Sequence, residues 1–134
     1  MLEMNFWKKL FKRSWTVPIV RLDGVIGSSG QFGGSGLTDS TLEQVLKKAF
    51  EMPRIKAVAL VINSPGGSPT QSSLIAARIR RLATENEVTV IAFCEDVAAS
   101  GGYWLACSAD EIFADENSVI GSIGVISASF GFHE

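Results

Sequence analysis

The sequence has little of what metal sites, redox sites and membrane spans require. It contains two cysteines and one histidine among 134 residues, and Cys94 and Cys107 stand at neither a C-x-x-C nor a zinc-ligand spacing. No window approaches the roughly twenty uncharged apolar residues of a membrane-spanning helix. Lys and Arg number 12 against 14 Asp and Glu, which gives no general attraction to nucleic acid. We therefore expect no metal, no cofactor, no nucleic-acid partner and two buried free thiols.

Residues 1–16 differ from the rest of the chain, because cations and aromatic side chains alternate there at helical spacing. The cations are Lys8, Lys9, Lys12 and Arg13, and the large apolar residues are Phe6, Trp7, Leu10, Phe11 and Trp15. This alternation excludes a signal peptide, whose apolar stretch is continuous. We expect residues 1–15 either to contact an anionic membrane surface peripherally or to pack on protein. The protein is accordingly expected to be cytoplasmic or peripherally membrane-associated.

Residues 17–134 have the composition of one packed domain, since the chain is 46% hydrophobic and 19% charged. Branched and apolar runs predict strands at residues 17–26, 57–62, 88–93, 111–114 and 122–127. Periodic apolar positions predict helices that follow Ser40, include residues 74–82, and run from Ser100 to about Cys107. Glycine and serine at residues 27–36 predict a loop. This order predicts an α/β fold with a largely parallel sheet.

The first helix has the clearest local signals. Ser40 followed by Glu43 is a capping-box pattern, and Pro53 stops the helix. The face predicted to be buried consists of Leu42, Val45, Leu46 and Ala49.

Two strand-to-helix turns carry the candidate chemistry, because helix N-termini expose amide groups that bind developing negative charge. In residues 63–68, Gly66 and Gly67 let backbone N–H groups approach a ligand, as an oxyanion hole requires. An ordinary glycine turn is the alternative. In residues 98–103, small neighbours leave the Ser100 hydroxyl reachable by an acyl substrate, and a helix N-cap is the alternative. Together the turns predict a hydrolytic site.

Three blocks resemble one known family: I-N-S-P-G-G at residues 62–67, A-A-S-G-G-Y-W at 98–104 and I-G-S-I-G-V-I at 120–126. They are similar to the signal peptide peptidase A type serine peptidases, which include SohB-like proteins and belong to the ClpP and crotonase fold superfamily. The resemblance covers residues 18–132 and implies repeated β-β-α and βαβ units. It implies that Ser100 is the nucleophile and that the amides of Gly66, Gly67 and Gly101 bind the oxyanion.

The general base of the resembled family is a lysine that follows the nucleophile, and no lysine follows Ser100 here. The chain thus resembles an N-terminal portion of the peptidase domain, apparently truncated at its C-terminus, and its base is unknown. His133 would offer the Ser-His-Asp arrangement of the ClpP-like relatives, but nothing fixes its geometry so near the chain end. Lys56 is the first upstream lysine to test.

Three functions fit these residues. The first is a serine endopeptidase with a Ser-Lys dyad and an apolar groove, acting on hydrophobic peptide or protein segments. For this function we expect the 134-residue chain by itself to be nearly inactive, because general-base assistance contributes about 10²–10⁴-fold. The second is a crotonase-like acyl-thioester enzyme, which uses the same glycine amides without needing Ser100. The third is a non-catalytic oligomerising or partner-binding module. We also expect a homo-oligomer, because apolar surface near residues 119–132 favours self-association.

Overall fold

The computed structural model describes residues 14–27 and 36–124. Residues 1–13, most of the predicted glycine loop, residues 125–127 of the last predicted strand and His133 lie outside these ranges. The elements in chain order are β1 (Ile19–Asp23), α1 (Asp39–Phe50), β2 (Ala57–Ser64), α2 (Pro69–Asn86), β3 (Thr89–Ala99), α3 (Gly101–Ala106), β4 (Glu111–Ala114) and β5 (Val119–Gly121). Of the helices in the described ranges, none combines the length and the apolar composition that crossing a bilayer takes.

The five strands form one sheet in which the described strand pairings are parallel. The order is β1-β2-β3-β4, and β5 also pairs with β3. β4 pairs with the first half of β3, starting at Ile91, whereas β5 pairs with its last three residues, starting at Val97. The predicted α/β class with a largely parallel sheet is confirmed, and the longest strand leads directly to Ser100.

The core lies on one face of the sheet, under the helices. Alternate residues of β2 point into it and are fully buried: Val58, Leu60, Ile62 and Ser64. α1 packs on β1 and α2, and α3 packs on α2, β2 and β3. Because parallel strands with helices on them bury nearly continuous apolar runs, residues 57–62 give a strand as predicted. Because the strands are parallel, their carboxyl ends and the turns that follow them lie at one end of the sheet.

The start and the buried face of α1 correct two predictions. Thr38 is the N-cap, and its hydroxyl and that of Thr41 accept each other's backbone N–H groups. Ser40 and Glu43 therefore do not form the capping box. Val45 is 51% exposed, whereas Phe50 is buried. The helix therefore starts earlier than predicted. Thr38 and Thr41 make the two capping-box hydrogen bonds that the sequence pattern assigned to Ser40 and Glu43.

Arg78 of α2 forms ion pairs with Asp39 and Glu43 of α1. The Arg78 guanidinium donates to both carboxylate oxygens of Asp39, each at 2.6 Å, and both side chains are about four-fifths covered. These hydrogen bonds hold the pKa of Asp39 below its usual value. The pair between Arg78 and Asp39 fixes α2 against α1.

Two strand predictions and one cysteine prediction also need correction. β3 extends to Ala99 rather than ending at Phe93, and the last described strand is residues 119–121 rather than 122–127. The extension is stabilised across the sheet, where Asn63 bonds the Asp96 carboxylate and the Val97 amide. Cys94 is buried as expected, but Cys107 is exposed, because it follows α3 at the surface.

Candidate active site

Ser100 occupies the turn between β3 and α3 in a conformation that few residues adopt. Its φ is 52° and its ψ is −118°, a region in which a side chain is strained by of order 1–3 kcal/mol. Its backbone N–H donates to Gly121 at 2.8 Å, and its carbonyl accepts from Trp104 at 3.0 Å. The hydroxyl makes no cap hydrogen bond. Although Ser100 holds the N-cap position, its side chain is thus left free for chemistry.

The glycine turn after β2 is fixed by Ile26, a buried residue just beyond β1. The Ile26 N–H donates to the Gly66 carbonyl at 2.8 Å, and the Ser68 N–H donates to the Ile26 carbonyl at 2.8 Å. Described peptide bonds are all trans, so a carbonyl and the following N–H point in opposite directions. Because the Gly66 carbonyl faces Ile26, the Gly67 N–H points away from Ile26.

Gly66 brings the two predicted turns into contact. Its φ is +94°, and a Cβ atom there would lie 2.7 Å from the Ala99 carbonyl oxygen and 2.7 Å from the Gly101 nitrogen. Such distances are too short for a real side chain, so only glycine lets this backbone lie against the serine turn. The residues that sequence reasoning placed in separate turns therefore form one site.

The amides of the three predicted oxyanion glycines differ in their availability. The Gly66 N–H donates to the Ser64 hydroxyl at 3.1 Å. Gly66 is therefore not a free donor, unlike the expectation for an oxyanion amide. The amides of Gly67 and Gly101 donate to no other residue in the described ranges. Two amides, one from each turn, thus have no hydrogen-bond partner among the described residues.

A cleft of about 350 Å³ opens beside Ser100. Its lining consists of Gly67, Pro69, Ser100, Gly101, Tyr103, Trp104, Cys107, Ile123 and Gly124. Apart from the backbone, the Ser100 and Tyr103 hydroxyls, the Trp104 indole N–H and the Cys107 thiol, this lining is apolar. Sequence reasoning missed Tyr103 and Cys107, although their spacing of three and seven residues from Ser100 places all three on one helical face. The cleft is suited to an apolar side chain.

No basic side chain in the described ranges lines this cleft. Lys47 and Lys48 lie on a concave surface at the end of α1. Lys56 lies on another surface, with its ammonium 5.8 Å from the Trp15 ring. The residues in the described ranges also form no cluster of three or more side chains able to hold a metal ion. The described part of the chain thus brings a serine hydroxyl and two unpaired amides together at a cleft that no described basic side chain lines.

Comparisons with known proteins concern the same region. A model of peptidase family S49 matches residues 83–134. The chain is 52% identical over 118 residues to a Brucella abortus protein named Na(+)/H(+) antiporter NhaA, which is 88% of this chain and 16% of that protein. It is 35% identical over 113 residues to Protease 4 from Haemophilus influenzae, which is 83% of this chain and 18% of the relative. It is 39% identical over 97 residues to the serine protease SPPA of Arabidopsis thaliana chloroplasts, which is 72% of this chain and 14% of the relative.

Proposed function

Because a model of peptidase family S49 matches residues 83–134 and the relatives include SppA-type and SohB-type proteases, we propose that the chain belongs to this family and carries the nucleophile half of a serine peptidase site. Ser100 is the nucleophile, and the Gly67 and Gly101 amides are the oxyanion donors. The observation that carries the proposal is the close approach of Gly66 to the Ser100 turn. It supports the proposal because it brings the glycine turn, with the free Gly67 amide, against the Ser100 turn, with the free Gly101 amide.

The proposed reaction is attack of the Ser100 hydroxyl oxygen on a peptide carbonyl carbon. The carbonyl oxygen then takes up the negative charge, which the Gly67 and Gly101 N–H groups stabilise. The hydroxyl proton must pass to a general base, which we place outside residues 14–27 and 36–124. The family resemblance points to a lysine for this role. Without that group in position, we expect the 134-residue chain to hydrolyse peptides negligibly.

The proposed substrate is an extended peptide or protein segment with an apolar side chain next to the cleaved bond. The aromatic and aliphatic lining beside Ser100 provides the surface that such a side chain would cover. The antiporter name of the Brucella relative is not carried over, because the family model that matches this chain is that of a peptidase. The S49 match includes Ser100, and the Protease 4 relative matches most of this chain.

A non-catalytic binding module is the second candidate, favoured by the lack of a base among the described cleft residues. A crotonase-like thioester enzyme accounts less well for the free Ser100 hydroxyl, because such an enzyme needs only the glycine amides.

The test uses a peptide boronic acid with an apolar side chain, because boron can accept the electron pair of Ser100 Oγ while the hydroxyl proton passes to solvent. We expect a tetrahedral ¹¹B NMR signal with the wild-type chain and none with Ser100→Ala. A signal that is the same in both proteins, or absent from both, would contradict a nucleophilic serine. The matched peptide amide measures binding without the covalent step.

Two partner proposals accompany this function. Phe93 and Phe113 stack at a ring-centroid distance of 5.5 Å and are 41% and 51% exposed, so we propose that this sheet face self-associates. Sedimentation equilibrium should show Phe113→Lys to be more monomeric than wild type.

We also propose that residues 1–15 bind anionic lipid peripherally. Co-sedimentation with anionic vesicles should fall when those residues are deleted or when salt is raised, and no change would indicate packing on protein.

A further inference from the structure

Ser64 is the last residue of β2 and is fully buried, although it is a polar residue. Its hydroxyl oxygen accepts the Gly66 N–H at 3.1 Å. It also lies against α3, because a Cβ atom on Gly102 would overlap the Ser64 carbonyl and lie 3.1 Å from Ser64 Cβ. Ser64 thus contacts both the glycine turn and the helix that follows Ser100, without lining the cleft itself.

The glycine turn needs such a contact, since two adjacent glycines are the most flexible backbone a protein can place there. Ile26 fixes the carbonyl side of Gly66. Ser64 fixes its amide side. Hydrogen bonds thus hold both the N–H and the carbonyl of Gly66. Together they fix the orientation of the peptide between Gly66 and Gly67, which carries the Gly67 N–H.

The geometry points to Ser64 as a positioning residue for the oxyanion site, a role that rests on the proposed peptidase function. Removing its hydroxyl leaves the Gly66 amide buried without a partner, which favours rotation of the turn toward other partners. The rotation would carry the Gly67 N–H out of line with the substrate oxygen. The loss therefore affects binding of a tetrahedral adduct more than binding of a flat peptide.

Ser64→Ala tests this role better than a change at Gly67. A Cβ atom on Gly67 would overlap the Ile26 carbonyl, so a side chain there disturbs the fold itself. Ser108→Ala is the matched control, because Ser108 is also buried and its hydroxyl donates to the Leu105 carbonyl at the far end of α3. Both variants lose one buried hydroxyl, but only one loses a bond to the glycine turn.

The experiment measures the affinity of the full chain for the peptide boronic acid and for the matched peptide amide. We expect Ser64→Ala to weaken boronate binding by roughly tenfold or more, since a lost oxyanion donor costs about 10²–10³-fold in rate. Binding of the amide should stay within about twofold of wild type. Ser108→Ala should change neither affinity.

The outcomes separate the two proposals. If wild type binds the boronate through Ser100 and Ser64→Ala binds it equally tightly, the role of Ser64 is wrong and the proposed function stands. If wild type gives no Ser100-dependent adduct, the proposed function is wrong and the role of Ser64 falls with it. If Ser64→Ala does not fold, Ser64→Cys makes the same test, because a thiol has similar size and accepts hydrogen bonds weakly. Equal boronate affinity in that variant would also refute the role.

Discussion

The contact between Gly66 and the Ser100 turn predicts how much free energy of unfolding the protein loses when Gly66→Ala adds one methyl group there. Gly66 and Gly24 have almost the same backbone φ, +94° and +93°. A Cβ atom on Gly24 would meet no atom within 4 Å, whereas one on Gly66 would meet the Ala99 carbonyl oxygen and the Gly101 nitrogen at 2.7 Å. Gly24→Ala is therefore a matched control for Gly66→Ala.

Both substitutions place a Cβ atom at positive φ, which costs about 1–2 kcal/mol in the free energy of unfolding. Only Gly66→Ala adds overpacking against backbone atoms, for about 1–3 kcal/mol more. We expect a loss of about 1–2 kcal/mol for Gly24→Ala and roughly 2–5 kcal/mol for Gly66→Ala. Gly66→Ala should also abolish the boronate adduct, which Gly24→Ala should retain.

Urea unfolding followed by far-ultraviolet circular dichroism measures the two free energies under identical conditions. Losses that agree within about 0.5 kcal/mol would refute the close approach of the two turns, because that difference is within the usual error of such comparisons. Retention of the boronate adduct by Gly66→Ala would refute the placement of Gly67 beside Ser100.

Three further predictions concern backbone strain, pH and thiol reactivity. Ser100→Gly should be about 1 kcal/mol more stable to urea than Ser100→Ala, because glycine relieves the positive φ; lower stability of the glycine variant would contradict the strain. The Arg78 pair lowers the pKa of Asp39, so its stabilisation is complete above about pH 4 and is lost as the pH falls through the lowered folded-state pKa. Acid unfolding of Arg78→Met should therefore lose less stability over that range than wild type, and identical slopes would argue against the pair. Iodoacetamide should alkylate the exposed Cys107 in the native protein and reach Cys94 only in denaturant, because burial raises the pKa of the Cys94 thiol; mass spectrometry showing two modifications in the native state would disprove this.

The sequence was most informative where an element depends on its own residues. Continuous apolar residues predicted β2, and the four residues of β4 were predicted without error. β3 was predicted too short because Glu95 and Asp96 look like loop residues. Their carboxylates are paired by Arg21 of β1 and Asn63 of β2, and such partners across a sheet have no local signal.

The candidate site was predictable in its parts and not in its hydrogen bonds. Small residues around Ser100 and the glycine pair predicted two sharp turns, and the resemblance assigned them to one site. Which glycine amide remains free depends on Ser64 and Ile26, which contact the turn from a strand end and from a separate loop. That assignment requires the tertiary structure, since Gly66 and Gly67 are chemically identical in the sequence.

The backbone around Ile26 also determines where this protein tolerates added sequence. The Gly27 N–H donates to the Leu37 carbonyl at 2.7 Å, and the Leu37 N–H donates to the Val25 carbonyl at 3.0 Å. Gly27 and Leu37 therefore lie next to each other, and their hydrogen bonds close the segment between them. Doubling the length of a segment closed in this way costs only about 0.6 kcal/mol. Because Ile26 also holds the glycine turn, a peptide grafted between Gly27 and Leu37 would begin next to that turn and offer a route to engineered substrate selectivity.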